Sequence, residues 1–248
     1  LDLLSKHQTL VKGRFPLKVV FRWSYRCLLV FVTVSILLVM GFRWAAPPLS
    51  SYMLQRYIQS AWMAQEKESM LLRYTWVPYG AISPHMALAV VAGEDQRFPA
   101  HWGFDFRAIQ QVLEDKAQGK ALRGASTISQ QVAKNLFLWH GRSLLRKALE
   151  AWFTVLLELL WPKQRILEVY LNIIELGEQT FGVEAASRRF FNKSAQQLRP
   201  EEAALLAAVL PNPLYYRVNA PSAYVRERQS WILRQMRQLG GIDYLDEL

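Results

Sequence analysis

Ser143–Gly177, SLLRKALEAWFTVLLELLWPKQRILEVYLNIIELG, decides how the rest of the chain is read. Ser143 can cap the start of a run that contains no Gly or Pro until Pro162, which opens a second run ending near Gly177. Ser satisfies free N–H groups at a helix start, Pro presets the first helical turn and Gly tolerates the turn that ends one, so two successive helices are predicted. The same punctuation recurs outward. Ser83-Pro84 opens a helix to Ala92 with Gly93 as its stop, Pro200 opens EEAALLAAVL, and Pro221 precedes a last helix closing at Gly240-Gly241. No stretch alternates apolar and polar residues around a hairpin turn, which predicts an all-α domain. Ala151–Trp161 has Glu158 as its only charge and is apolar nearly all round, as expected of a central core helix. The sharper alternative is that part of this surface, with Phe137, Leu138 and Trp139, dips into a membrane interface.

Toward the N-terminus, Cys27–Phe42 (CLLVFVTVSILLVMGF) is 16 uncharged residues, roughly 24 Å of helix against a hydrocarbon core of about 30 Å. Arg26 and Arg43 can snorkel while Trp23, Tyr25 and Trp44 sit at the interfaces, which extends the span to about 20 residues. Six cations (Lys6, Lys12, Arg14, Lys18, Arg22, Arg26) precede the span and Arg43 follows it. Positive charge stays in the cytoplasm, so the N-terminus is expected inside and everything after Trp44 outside. GFRWAAPP (41–48) offers Arg43 or Trp44 where signal-peptide cleavage needs a small residue, so an uncleaved anchor is expected. The resulting plan is a basic cytoplasmic tail (1–26), an anchor (27–44), a linker and membrane-proximal region (45–76) and a globular domain (77–248).

Of 248 residues with a formal net charge of +10, seven of the 30 cations and one of the 20 anions fall within residues 1–43. That leaves 23 against 19, which weakens any case for nucleic acid drawn from the overall charge. Cys27 is the only cysteine, which excludes an intramolecular disulfide. His7, His85, His101 and His140 are scattered without metal-binding spacing.

Three clusters between Glu94 and Glu150 carry chemistry. Glu94-Asp95-Gln96-Arg97-Phe98, followed by His101 and Gly103, puts paired carboxylates just past a helix end, where partial desolvation can raise a general base toward working pH. GASTISQQVAKN (124–135) leads small and hydroxyl residues into a helix N-terminus that favours anions, with Gln130 and Lys134 four apart on one face. Arg142 then precedes Arg146-Lys147-Ala148-Leu149-Glu150, whose spacing gathers cations and a carboxylate on one side. Alone, each has an ordinary explanation: surface carboxylates, a capped helix with a polar face, an exposed ion pair.

Taken in order, EDQRFPAHWG, GASTISQQVAKNLF, RKALE and KQRILEVYLNIIELGEQTFGVEAASRRFF resemble the peptidoglycan glycosyltransferase family (family 51 glycosyltransferases) from about Val77 to Pro213. Family patterns often read GGSTITQQ, so Ala125 and Ser129 depart while keeping small and hydroxyl character. The resemblance implies an all-α, lysozyme-like fold of two lobes, head and jaw, behind one N-terminal transmembrane helix in the bacterial cytoplasmic (inner) membrane, with the catalytic domain periplasmic or extracellular. It implies polymerisation of lipid II, with the growing lipid-linked glycan as donor, inversion at the anomeric carbon and release of undecaprenyl pyrophosphate. Glu94 is then the base; Lys134, Arg142, Arg146 and Lys147 meet the pyrophosphate; Ser126, Gln130, Gln131 and Asn135 hold sugar and phosphate oxygens; and His101 positions the Glu94 loop, a structural histidine being the more ordinary reading. Glu150 orients the cations or bridges a divalent cation, Mg or Mn, with no tightly bound cofactor expected. Expected partners are the membrane and cell-wall synthesis or division proteins, and no nucleic acid. Many members continue into a penicillin-binding transpeptidase domain, but no Ser-x-x-Lys acylation motif occurs here, so polymerisation alone is expected. A lytic transglycosylase is the nearest rival, yet it releases no pyrophosphate and has no use for the cations; an inert division scaffold would need neither Glu94 nor Glu150.

Overall fold

The computed structural model describes residues 17–63, 72–118, 124, 126–141 and 143–248. Arg142, Ala125 and the cations Lys6, Lys12 and Arg14 lie outside the described residues. The chain divides into two compact units, one up to Leu38 and one from Val39 onward. The first holds most of helix α1 (Leu17–Trp44), whose Phe21–Trp44 segment is the one helix among the described residues long and apolar enough to cross a membrane. Its 24 residues make roughly 36 Å of helix, which covers a hydrocarbon core of about 30 Å without stretching. Leu28, Leu29, Val30, Val34 and Leu37 all point outward, a face that water does not stabilise and lipid does.

The second unit is built around α3 (Pro84–Glu94) and α9 (Pro200–Val209). Met86 through Ala92 and Ala203 through Val209 are all buried, because both segments are apolar on every side and small enough, with four alanines in α9 before Val209, to pack closely. Helix α10 (Ala223–Gln238) packs on both. A second group joins α5 (Ile128–Phe137), α6 (Leu144–Leu160) and α7 (Lys163–Ile173), with α2 (Ser51–Met63) laid on α5. Helices α4 (Phe106–Ala117) and α8 (Val183–Phe191) complete the set, α4 capped by Asp105, which accepts from the Arg107 and Ala108 N–H groups. The stretch 45–76, expected to link anchor and domain, therefore contains a packed helix with Met53 fully buried.

Three details differ from the sequence expectation. The Ser83 hydroxyl does not cap α3; it donates to the Leu198 carbonyl at 2.8 Å. Gly93 does not stop that helix but lies inside it, where α10 crosses so closely that an added Cβ would meet Ile232 at 3.4 Å. Likewise α7 ends at Ile173, before Gly177, and the intervening residues form a small sheet. Strands β1 (Arg73–Tyr74), β2 (Glu175–Gly177) and β3 (Thr180–Phe181) lie in the order β1-β3-β2, β1 parallel and β2 antiparallel to β3. Gly182 follows with φ +79°, and a Cβ there would fall 2.5 Å from the Asn172 carbonyl oxygen, so the hairpin can return to α7 only through glycine. The Asn172 side chain in turn holds the Val77 N–H and C=O at 2.9 Å each.

Helix α6 is not the central core helix. One side buries Phe153, Leu156, Leu157 and Trp161, while Leu144, Leu145, Val155 and Leu159 are exposed on the other, Leu144 by 92%. The helices buried on every side are α3, α9 and the second half of α7, and composition alone could not say which solvent the other face of α6 meets.

Candidate active site

The last turn of α3 sends its two carboxylates in different directions. Asp95 leaves the helix at φ −157° and turns inward, where it accepts from the Ile128 N–H at 3.0 Å and from His101 Nε2 at 2.9 Å. The Gly103 N–H donates to His101 Nδ1 at 3.1 Å, which places the ring proton on Nε2. Asp95 thus docks the N-terminus of α5, whose free N–H groups and dipole favour a carboxylate there. Thr127 caps the same end in a box with Gln130 and donates its hydroxyl to the Gly103 carbonyl at 2.7 Å. Gly103 has φ +78°, and a Cβ would come within 2.6 Å of the Thr154 methyl. Underneath, Lys163 Nζ donates to the His101 carbonyl at 2.6 Å and to Glu158 at 2.8 Å, and Ser129 donates to the same Glu158 oxygen. His101, Gln130 and Ser129 are all buried in this framework.

Glu94 faces the other way. About 16% of its side chain is exposed. Oε2 accepts from Gln131 Nε2 at 3.0 Å, and Gln131 Oε1 accepts from the Tyr170 hydroxyl at 3.1 Å, which fixes the amide with its N–H toward Glu94. On the other oxygen, Arg228 Nη2 reaches Oε1 at 3.3 Å and also the Gly93 carbonyl at 3.4 Å. Burial pushes the Glu94 carboxyl above the usual carboxylate range and Asp95 adds to the rise, against the pull of the Gln131 hydrogen bond and of Arg228. A carboxylate in that balance accepts a proton more readily than an exposed one, which suits a general base. Tyr170, its phenol pushed well up by burial and by Glu94 and Asp95, stays a donor.

The cations gather where α5 packs on α6. Burial lowers the Lys134 ammonium from its ordinary value; Glu150 is the chief opposing influence, Arg146 and Lys147 lower it further and Glu94 raises it. Lys134 is therefore in electrostatic reach of both carboxylates. Glu150 is buried and accepts from Arg146 Nη1 at 2.7 Å and from Lys147 Nζ. Arg146 is held a second time, Nε donating to the Gly141 carbonyl at 2.7 Å, and the Ser143 hydroxyl caps α6 by accepting the Arg146 N–H at 3.1 Å. Three cations around one buried anion leave a net positive surface suited to a polyanion. Both Glu150 oxygens are occupied by cations of its own helix, and among the described residues no three His, Cys, Asp or Glu side chains converge, so the donor set fits an orienting role better than a metal ligand.

The structure thus brings Glu94, Gln131, Lys134, Arg146, Lys147 and Glu150 into one site. Gln131, three residues before Lys134, is the glutamine that engages Glu94, whereas Gln130 turns back into the cap of α5. Ser126 is exposed just ahead of that cap and Asn135 is buried. Sequence reasoning missed Tyr170, Arg228, Glu158 and Lys163. Arg228 sits 134 positions from Glu94 in a helix whose many cations look like a solvated face, and only the crossing of α10 over α3 reveals its role.

Residues 60–237 match a protein-family model described as Transglycosylase. The chain is 53% identical over 232 residues to a biosynthetic peptidoglycan transglycosylase of Pseudomonas fluorescens, covering 94% of this chain and 95% of that protein. A Pseudomonas putida protein of the same name is 52% identical over 94% of this chain and 97% of its own length, and one from Xanthomonas campestris pv. campestris 50% identical over 90% of each.

Proposed function

The chain belongs to the transglycosylase family, and from that premise we propose that it polymerises lipid II into the glycan strands of peptidoglycan, with Glu94 as the base. The observation that carries the reading is the pairing of a largely buried carboxylate, shifted toward accepting a proton, with a separate cluster of three cations. The acceptor sugar's 4-hydroxyl attacks the anomeric carbon of the growing chain, its proton passes to Glu94, and the bond to pyrophosphate breaks with inversion. Charge grows on the departing pyrophosphate, so Lys134, Arg146 and Lys147 stabilise the transition state more than the ground state. Glu150 holds Arg146 and Lys147 in place; Arg142, outside the described residues, is assigned to the pyrophosphate on the family resemblance alone. Ser126 and Asn135 take sugar and phosphate oxygens. Gln131 is a positioning residue for Glu94. No tightly bound cofactor is required.

The apolar helix α1 is a single-pass anchor. We place it in the cytoplasmic membrane with the N-terminus inside, on the charge asymmetry around residues 27–42. The outward Leu144, Leu145, Val155, Leu159 and Trp139 support contact between α6 and the bilayer surface, where a lipid-linked substrate arrives. A phosphatase reporter fused after Leu248 is expected to be active outside the membrane; activity of a cytoplasmic reporter instead would overturn the orientation. For the reaction, the detergent-solubilised full chain is incubated with labelled lipid II. Polymer that lysozyme digests is the expected product, and intact lipid II after prolonged incubation would overturn the function.

A further inference from the structure

The turn between α5 and α6 carries a side chain that the mechanism above leaves unused. His140 immediately precedes Gly141, whose carbonyl holds Arg146. Gln55 of α2 pins the turn from beneath, Nε2 donating to the Leu138 carbonyl at 3.1 Å and Oε1 accepting the His140 N–H at 2.7 Å. The imidazole lies flat on Tyr52, ring centroids 4.2 Å apart and planes 19° apart, while the Tyr52 hydroxyl is committed to Glu175 at 2.6 Å. His140 is exposed, and among the described residues neither ring nitrogen makes a hydrogen bond. Among the described residues, the charged groups acting on the ring are Lys134 from α5, Arg146 from α6 and Arg56 from α2, all cations, of which Arg146 is paired with Glu150 and Arg56 with Glu175, and the Tyr52 phenol lies against it. Two of those cations are the ones assigned to the leaving group.

We propose that His140 is a further ligand of the substrate pyrophosphate, neutral in the empty site, which takes up one proton from solvent as the diphosphate arrives and returns it as the lipid pyrophosphate leaves. The inference rests on the lipid II reading. Its physical basis is a change of sign. Burial and the three neighbouring cations hold the free imidazole below its usual range. A diphosphate placed among Lys134, Arg146 and His140 outweighs them and makes the charged ring favourable, giving a two-donor cation where a neutral ring offered one. Binding and protonation are then linked: affinity is greatest below the imidazole pKa of the free protein, falls as pH rises between the free and bound values, and levels off above the bound one.

The test is the KM for lipid II of the detergent-solubilised full chain between pH 6 and pH 8, in wild type, His140→Gln and His140→Arg. Wild-type KM is expected to rise with pH, by at most about tenfold per unit for a single linked proton. His140→Gln should raise KM severalfold at pH 6, close to the wild-type value at pH 8, and remove the slope. His140→Arg, a fixed charge, should keep KM low and flat, and it decides the question if the Gln variant fails to fold. Wild type that makes no polymer refutes the function on which this rests. Wild type that does make polymer, with the same KM slope in both variants, refutes His140 alone. A parallel titration with inorganic pyrophosphate at pH 7 in two buffers of different ionisation enthalpy should show greater proton uptake in wild type than in His140→Gln, and equal uptake would also count against it.

Discussion

Glu94 and Glu150 are both largely buried and both meet cations, yet they are built in opposite ways. Glu94 has a neutral amide at 3.0 Å and a guanidinium that reaches it only at 3.3 Å. Glu150 has two cations from its own helix in direct contact, one turn away or less. A buried carboxylate given little compensating charge is left ready to accept a proton, whereas one given two cations organises those cations for a ligand. On the proposed reading, the same residue type serves as a base at one end of the site and as a scaffold for an anion hole at the other.

The largest expected effect comes from removing the base. Glu94→Gln keeps the size and the contact with Gln131 but cannot take the hydroxyl proton, so polymerisation should slow by roughly 10² to 10⁴. The substitution should not unfold the protein. A carboxyl whose folded pKa is raised stabilises the fold below its unfolded pKa and loses that contribution as pH rises through the folded value, so at neutral pH its ionised form is a liability. Thermal melting of Glu94→Gln at pH 7.5 should give a Tm equal to or above wild type; a clear drop would mean that the ionised carboxylate is structural.

At the other end, Lys134→Ala and Arg146→Ala should each lower kcat/KM by about 10 to 10³, through KM as well as kcat, because contact with the pyrophosphate begins in the ground state and strengthens as charge develops. Equal loss of kcat with KM untouched would sink that division of labour. A smaller effect tests the long contact to Glu94. Arg228 pulls the Glu94 carboxyl down against burial, so Arg228→Met should move the acid limb of the kcat/KM profile to higher pH, leaving a reduced but measurable maximum. An unmoved limb would mean that Arg228 only packs. The smallest is Ser143→Ala, which removes the cap of α6 and should cost about 1 kcal/mol of stability, read as a Tm lowered by a few degrees.

The contrast also explains what could be read in advance. Arg146, Lys147 and Glu150 lie within five consecutive residues of one helix, so spacing alone announces that part of the cluster, which Lys134 joins from α5. The Glu94 pocket draws on positions 94, 131, 170 and 228, and nothing local in Tyr170 or Arg228 marks them; they reach Gln131 and Glu94 only when α7 and α10 pack. Helix starts were legible at Pro84, Ser143, Pro162 and Pro200 because the chemistry of a first turn is local. Helix ends were less so. Gly93 and Gly177 read as stops, but each is small because another element approaches it, Ile232 in one case and Phe190 in the other. The three strands, of two or three residues each, are too short for any alternation to register. His101, read as a support for the Glu94 loop or simply a structural histidine, is a buried strut between Asp95 and Gly103.

The central claim is that proton acceptance and pyrophosphate binding reside in separate carboxylate-centred clusters. Its most direct test measures lipid II retention and polymer formation on the same folded preparations of wild type, Glu94→Gln and Arg146→Ala. Glu94→Gln should retain lipid II as wild type does while making little polymer, and Arg146→Ala should lose both. Near-normal polymerisation by folded Glu94→Gln would contradict the account and move the search for the base to Glu150.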